Sequence, residues 1–525
     1  MTAELAIAGE TAPQRSLRIR RMTSLSDAAR TMAMLLIAPR GAGKSRFLGR
    51  MLVWQDVNRG VPTVLIDPTG GAISNFLDQV LRQPRERQIE LGRRIRYVDL
   101  AGRSGRVLPM PMLVRYGTET LWDRSQRFSD IVLRMDANLA KAPMAGLNAV
   151  RTAASASGIA LGALELQITE AFSLMTNPKA WLPVLDDARL ATAETAPVAQ
   201  YLRDFAGLGP RERMLRTEAL QDKLRVINWD PVSRVLYGAS KPAFSWQEVV
   251  DERLIVLVDL STVKDVTRQQ LGMLWMLRSF VEWLRERGAG HNHVPVSLII
   301  DELTALLAAV GSYHELIADD FNELIARLAR SHQLWLTVAF QELAQVPEAV
   351  QRVLLQSGTV MLGATSDPTT ALRFAKRWVR YDPSWVKKED PVYATSWGVT
   401  HTIDTRTIEY SIEEQQLINS WQFMDLERYE FLIGTVTSEG RLPSRLTKTS
   451  IAAFDAGRFP DERLVEQAQA LLSQRDGVRV SDAVAQIDGR VTAVLGDAPK
   501  TALRSASTEV VAAQLPTIKR KKVSG

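Results

Sequence analysis

Short apolar runs, each about one strand long, recur along the chain and are separated by stretches with helical spacing. Residues 32–38, 63–67 and 95–98 form a first set, and 254–259, 296–300, 334–340 and 358–363 form a second. A helix after Lys44 places Phe47, Met51, Leu52 and Trp54 near one side. A longer one turns Leu271, Leu274, Leu277, Val281 and Leu284 toward a core. Strands that alternate with helices predict an α/β fold, a parallel sheet covered on both faces.

The pattern changes in the middle and near the end. From about 118 to 235 strand-like alternation is absent, Leu220, Leu224 and Ile227 keep helical spacing, and Pro183, Pro197 and Gly209-Pro210 punctuate the segment. It reads as an all-helical insertion between strands of one sheet. After 385 the pattern is irregular, with polar alternation through 398–411 and one better strand at 430–437. The expected organisation is an N-terminal arm (1–28), a first part of the sheet domain (29–117), the all-helical insertion domain (118–240), a second part of the sheet domain (241–450), a C-terminal helical segment (451–490) and a flexible basic tail (491–525).

The strand ends carry the chemistry. Residues Ala38 to Ser45 read APRGAGKS, where Gly41 and Gly43 let the backbone wrap an anion and Lys44-Ser45 open a helix. The loop Pro39-Arg40-Gly41-Ala42-Gly43 through Arg46 would cradle phosphates with the backbone N–H groups that follow the proline and with the positive helix end. Lys44 would reach the β- and γ-phosphates of ATP, and the Ser45 hydroxyl would ligate Mg²⁺. The first position of such a loop is usually glycine and is Ala38 here, which predicts either strain or a different path into the loop. Val296-Ser297-Leu298-Ile299-Ile300 ends in Asp301-Glu302, an acidic pair suited to holding Mg²⁺, partly through water, and to polarising an attacking water. Asp67, at the end of Thr-Val-Leu-Ile-Asp, either faces the nucleotide crevice or belongs to a turn made by Pro68 and Gly70. Gln341 closes the strand at 334–340, so Lys44, Asp67, Asp301 and Gln341 share the carboxyl ends of the strands. The fold expected from these motifs is a P-loop NTPase, RecA-like.

Composition narrows the classes. The 525 residues include no cysteine, which removes disulfides, thiolate metal sites and a cysteine nucleophile, and only five histidines. His291-Asn292-His293 spells letters used by a nuclease class but sits in a Gly-rich connection and reads as a solvated turn. The net charge is +6, with arginines gathered at 82, 85, 87, 93, 94, 96, 103 and 106 and a closing Lys519-Arg520-Lys521-Lys522. Such clusters either bind phosphate backbones or are solvated faces. No run of eighteen apolar residues exists, so a soluble, cytoplasmic protein without an integral membrane segment is expected.

In order, LLIAPRGAGKS, VLIDPTGG, the helical insertion, LIVLVDLSTV, LIIDELTAL and RLARSHQLWLTVAFQELAQVPEAVQRVLLQSGTVMLGATSD resemble the motor domain of conjugative coupling proteins and of HerA-like or FtsK-like DNA translocases. The resemblance covers roughly residues 30 to 440. It implies a ring, usually a hexamer, with ATP and Mg²⁺ between subunits and DNA in a central channel. It also implies that Lys44 and Ser45 are Walker A, Asp301 and Glu302 are Walker B, and Gln341 is a polar sensor of the γ-phosphate or attacking water. Arg330, with Arg327 as the fallback, matches the arginine that reaches a neighbour's nucleotide; the other reading is a helix C-terminal arginine meeting the dipole. The coupling proteins' transmembrane helices are missing, which implies a soluble member or one that borrows a membrane partner. The implied function is an ATP-driven DNA translocase of conjugative or mobile-element transfer. Other classes with these features are an ATP-gated scaffold that recruits a relaxase or nuclease and a protein-export ATPase of a secretion system.

Overall fold

The computed structural model describes residues 5–7, 23–115, 118–134, 144–290, 292–310, 314–396, 399–435, 447–450 and 459–496. Most of the expected arm, His291 and the tail with its basic run lie outside them.

Among the described residues one nine-stranded sheet organises the molecule. In chain order its strands are β1 (Met34–Ile37), β2 (Thr63–Asp67), β3 (Ile95–Asp99), β4 (Ile255–Asp259), β5 (Val296–Ile300), β6 (Leu334–Phe340), β7 (Thr359–Leu362), β8 (Glu430–Thr435) and β9 (Thr447–Ser450). They lie side by side as β9-β8-β7-β1-β6-β5-β2-β4-β3. From β7 to β3 all neighbours are parallel, and β8 and β9 add an antiparallel edge. The fold is the expected P-loop NTPase architecture.

Side chains alternate between two cores. Leu35, Ile37, Val64, Ile66, Val256, Val258, Leu298 and Ile300 pack on one face. Met34, Leu36, Leu65, Ile255, Leu257 and Ile299 pack on the other. All are fully buried, which is why the runs are apolar at consecutive positions. Burying each such side chain stabilises by about 1.5–3 kcal/mol relative to exposure. The second face is covered by the helical stretch from Lys44 to Asn58, whose middle, Phe47–Val53, is π-wound, and by the helix Gly71–Leu81. These two helices cross closely: a Cβ on Gly49 would sit 2.2 Å from the Ala72 carbonyl oxygen.

Between β3 and β4 the chain runs through helices Leu121–Arg134, Met144–Ala163, Ile168–Thr176, Ala196–Gly207, Pro210–Trp229 and Pro231–Gly238. Leu220, Leu224 and Ile227 are buried there, as are Leu271, Leu274, Leu277, Val281 and Leu284 of the helix Val266–Arg287. Polar alternation after 385 turns out to be a two-stranded antiparallel ribbon, Val386–Ser396 with Val399–Glu409, which pairs only with itself. A ribbon outside the main sheet has no need of the apolar run that betrays a central strand.

The C-terminal segment acts as a strap. The helix Glu462–Asp476 packs on Gly71–Leu81 through Val465, and the Asp461 N–H donates to Asp78 Oδ1 at 3.3 Å. Arg475 donates to the carbonyls of Gly92 (2.5 Å) and Ile95 (2.6 Å). Val478–Arg479 pairs with Arg106–Val107, and Arg490 on the last helix, Val480–Leu495, donates to Glu170 and to the Gly238 carbonyl, both at 2.7 Å.

Candidate nucleotide site

β1 leads straight into the glycine loop. Ala38 still behaves as strand, with its N–H donating to the Phe340 carbonyl at 3.1 Å, and its backbone is not left-handed. The strain that alanine threatened is therefore absent. The space for its methyl comes from the neighbouring strand end, where a Cβ on Gly363 would stand 2.8 Å from the Ala38 Cβ. Left-handed geometry is confined to Gly41 (φ +83°) and Gly43 (φ +96°), residues that adopt it without a Cβ penalty.

Three strand ends then converge. Lys44 Nζ donates to Glu302 Oε2 at 2.9 Å, and Gln341 Nε2 donates to the same oxygen at 3.0 Å. Thr304 donates its hydroxyl to Glu302 Oε1. Glu302 holds φ +59°, an uncommon backbone for a residue with a side chain and one that clusters at functional sites. Burial alone would raise its pKa, but Lys44 and the hydrogen bonds from Thr304 and Gln341 outweigh it and hold the carboxyl below the usual range. Glu302 thus stays ionised.

Asp301 differs. Ser45 Oγ donates to its Oδ2 at 2.8 Å, whereas its buried Oδ1 has no hydrogen-bond partner among the described residues. Burial, and next the negative charge of Asp67, push its pKa up to about 7, against the opposing pull of Lys44 and Ser45. A buried carboxylate oxygen left open beside a serine hydroxyl fits a hard divalent cation that takes oxygen ligands, as Mg²⁺ does. Asp67 does not line the cavity. Its Oδ1 accepts from the Thr69 N–H, the Thr69 hydroxyl and the Gly70 N–H, and its Oδ2 from the Ala72 and Ile73 N–H groups, all within 3.0 Å. These bonds tie Asp67 into the turn, and Thr69 is the residue of this loop that lines the cavity. Gly71 matters for the same reason as Gly363, since its Cβ would stand 3.2 Å from the Ser45 Cβ.

The cavity, about 430 Å³, is lined by Pro39, Arg40, Gly41, Gly43, Lys44, Ser45 and Arg46 of the loop and by Asp301, Glu302 and Gln341. Ala42 is buried instead. Arg330 and Arg327 are exposed and stand before β6, at the opposite end of the strand from Gln341, so seven strand residues or roughly 20 Å separate Arg330 from its own site. Besides Thr69, three lining residues escaped the sequence reading: Arg428, Tyr429 and Phe459. Arg428 Nε donates to the Gly41 carbonyl at 2.9 Å, and Arg46 Nη1 donates to the Tyr429 hydroxyl at 2.9 Å. No motif marks them, because they come from the turn before β8 and from the start of the strap.

Much of the arginine cluster is spent inside the protein. Arg82 binds Asp78, Arg87 binds Glu90 and Asn58, and Arg103 binds Asp99 and Asp259. Arg94, Arg96 and Arg106 donate to the carbonyls of Arg253, Arg93 and Gly477.

No protein-family model and no curated protein matches the chain. Solved structures do. The bacterial conjugative coupling protein TrwB, in its unbound monoclinic form, aligns with a TM-score of 0.50 and 12% identity over 88% of this chain and 95% of that one. The fold is similar to that of a conjugative coupling protein. TrwB in complex with ADP and Mg²⁺ aligns at 0.48 and 13% identity, over 86% of this chain and 95% of that one. VirB4 of Thermoanaerobacter pseudethanolicus aligns at 0.48 and 14%, over 87% and 98%. At 12% identity the likeness to the unbound TrwB structure shows the fold alone, and the chemistry rests on the side chains. Among the described residues no helix is long and apolar enough to cross a membrane.

Proposed function

We propose that the protein is an ATP-hydrolysing motor that moves DNA in conjugative or related mobile-element transfer, working as a ring of its own copies, a hexamer. The observation that carries this reading is the meeting of Lys44, Ser45, Asp301, Glu302 and Gln341 at the carboxyl ends of parallel strands. That one of the TrwB structures holds ADP and Mg²⁺ agrees with it.

In the reaction, Lys44 would exchange its ion pair with Glu302 for the β- and γ-phosphates. Glu302, still held by Thr304 and Gln341, would then accept a proton from the attacking water. Gln341, already against the base, would orient that water. Ser45 and Asp301 would hold Mg²⁺, which when bound neutralises charge on the phosphates. Arg330 stands too far from its own site, so its role would be toward the nucleotide of a neighbouring copy. Relaxase, nuclease or secretion-system components would be the partners that give the motor its cargo.

Steady-state ATP hydrolysis by wild type and Lys44→Ala, each with and without DNA at low salt, tests the reading. DNA-stimulated turnover that Lys44→Ala abolishes is expected, and it should weaken steeply as salt rises. Turnover indifferent to both single- and double-stranded DNA would reject the DNA motor and leave an ATPase of the scaffold or protein-export kind.

A further inference from the structure

The phosphate end of the cavity accounts for its loop and its acids, but its other end is built from unlike material. Phe459 stands at the rim, 69% exposed, although it is a large apolar side chain beside a charged site. The Arg46 guanidinium lies over its ring, 4.5 Å from the centroid, and within 5.5 Å of the Tyr429 ring centroid. Arg428 lies 4.9 Å from the Tyr429 centroid and is anchored to the glycine loop through the Gly41 carbonyl. Tyr429 holds φ +70°, a second uncommon backbone at the same cavity. Two guanidinium groups and two aromatic rings are therefore gathered beside the glycine loop, with Arg46 against both rings.

We infer that this stack is the platform for the base of the nucleotide, with Phe459 as its principal stacking surface. The inference rests on the nucleotide reading of the phosphate end. One face of Phe459 is backed by Arg46, which fixes the ring, and its large exposure leaves room for a second planar group. Recognition by stacking has a consequence for selectivity. The carboxylates and the amide that line the cavity, Asp301, Glu302 and Gln341, are all bonded at the phosphate end to one another or to Lys44 and Ser45. Among the described lining residues none is left at the platform to read the base edge as an amide or carboxylate does. Every base offers a π-face, so adenine and guanine nucleotides are held alike.

Titration of the full chain with ADP, GDP and pyrophosphate, each with Mg²⁺, tests this for wild type, Phe459→Ala and Phe459→Trp. Phe459→Ala should weaken ADP and GDP alike by about tenfold, the scale of a lost base stack, and leave pyrophosphate binding unchanged. Phe459→Trp should restore both nucleotides. Because Phe459 is largely exposed, its truncation does not open the core. Unchanged ADP affinity in Phe459→Ala, or an equal loss for pyrophosphate, would overturn the platform while leaving the nucleotide site standing. Wild type that binds neither ADP nor pyrophosphate would overturn the nucleotide reading and the platform together.

Discussion

Asp67 and Asp301 occupy nearly equivalent places and are used in opposite ways. β2 and β5 are neighbours in register, Ile66 beside Ile300, and each aspartate follows that pair, buried to 0% and 1% exposure. Five donors saturate Asp67, four of them backbone N–H groups that fold the turn and start the helix Gly71–Leu81. Among the described residues Asp301 has one side-chain donor, Ser45, and one oxygen without a partner. A carboxylate whose lone pairs are used up holds the chain in shape. One left open is held ready for a ligand; burial raises the pKa of both aspartates, so it is the donors and not the titration that tell them apart.

Substitutions separate the two roles. Asp301→Asn should reduce ATP turnover by about 100-fold or more, the scale for a group that stabilises transition-state charge, without lowering the melting temperature. Glu302→Gln should lose turnover to a similar degree while retaining ADP binding in a titration, because binding needs Lys44 and not the base. Asp67→Asn should do the reverse: chemical denaturation should show a loss of about 3 kcal/mol, since an amide cannot satisfy the Ala72 and Ile73 N–H groups as the carboxylate does. A folded Asp67→Asn protein of normal stability that had lost turnover would break the contrast.

A third strand end gives a smaller, purely steric version. Gly363→Ala should cost about 1–3 kcal/mol in the same denaturation experiment by driving its methyl into that of Ala38, and adding Ala38→Gly should recover most of it. The finest test is pH. Between its unfolded value and about 7, Asp301 holds in the native state a proton that the unfolded chain has released, so its contribution to stability falls as pH rises and levels off above about 7. Without nucleotide or Mg²⁺, the melting temperature of Asp301→Asn should accordingly gain on wild type up to about pH 7 and keep a constant lead beyond it. A lead that shrinks with rising pH would mean that Asp301 is stabilised as a carboxylate.

Legibility followed locality. Lys44, Ser45, Asp301, Glu302 and Gln341 sit at the ends of apolar runs, where a few adjacent letters mark both the strand and its end, and the parallel sheet is legible from the same runs. The fate of Asp67 was not, because VLIDPTGG is compatible with a ligand and with a turn until the Ala72 and Ile73 N–H groups are placed. Nor could Ala38 be judged without Gly363, its neighbour on a strand far along the chain. Arg428, Tyr429 and Phe459 reach the cavity by tertiary packing alone, and the arginines at 82–106 read as a free patch only until their carbonyl and carboxylate partners are known.

The strap bears finally on how far the chain can be shortened. β3 is the outermost parallel strand, and the helix Glu462–Asp476 lies along it, with Arg475 holding the Ile95 carbonyl. A strand at the border of a sheet offers its unused backbone to any other strand it meets. Cutting ahead of Phe459 would strip this shield away and turn β3 into a template for edge-to-edge aggregation.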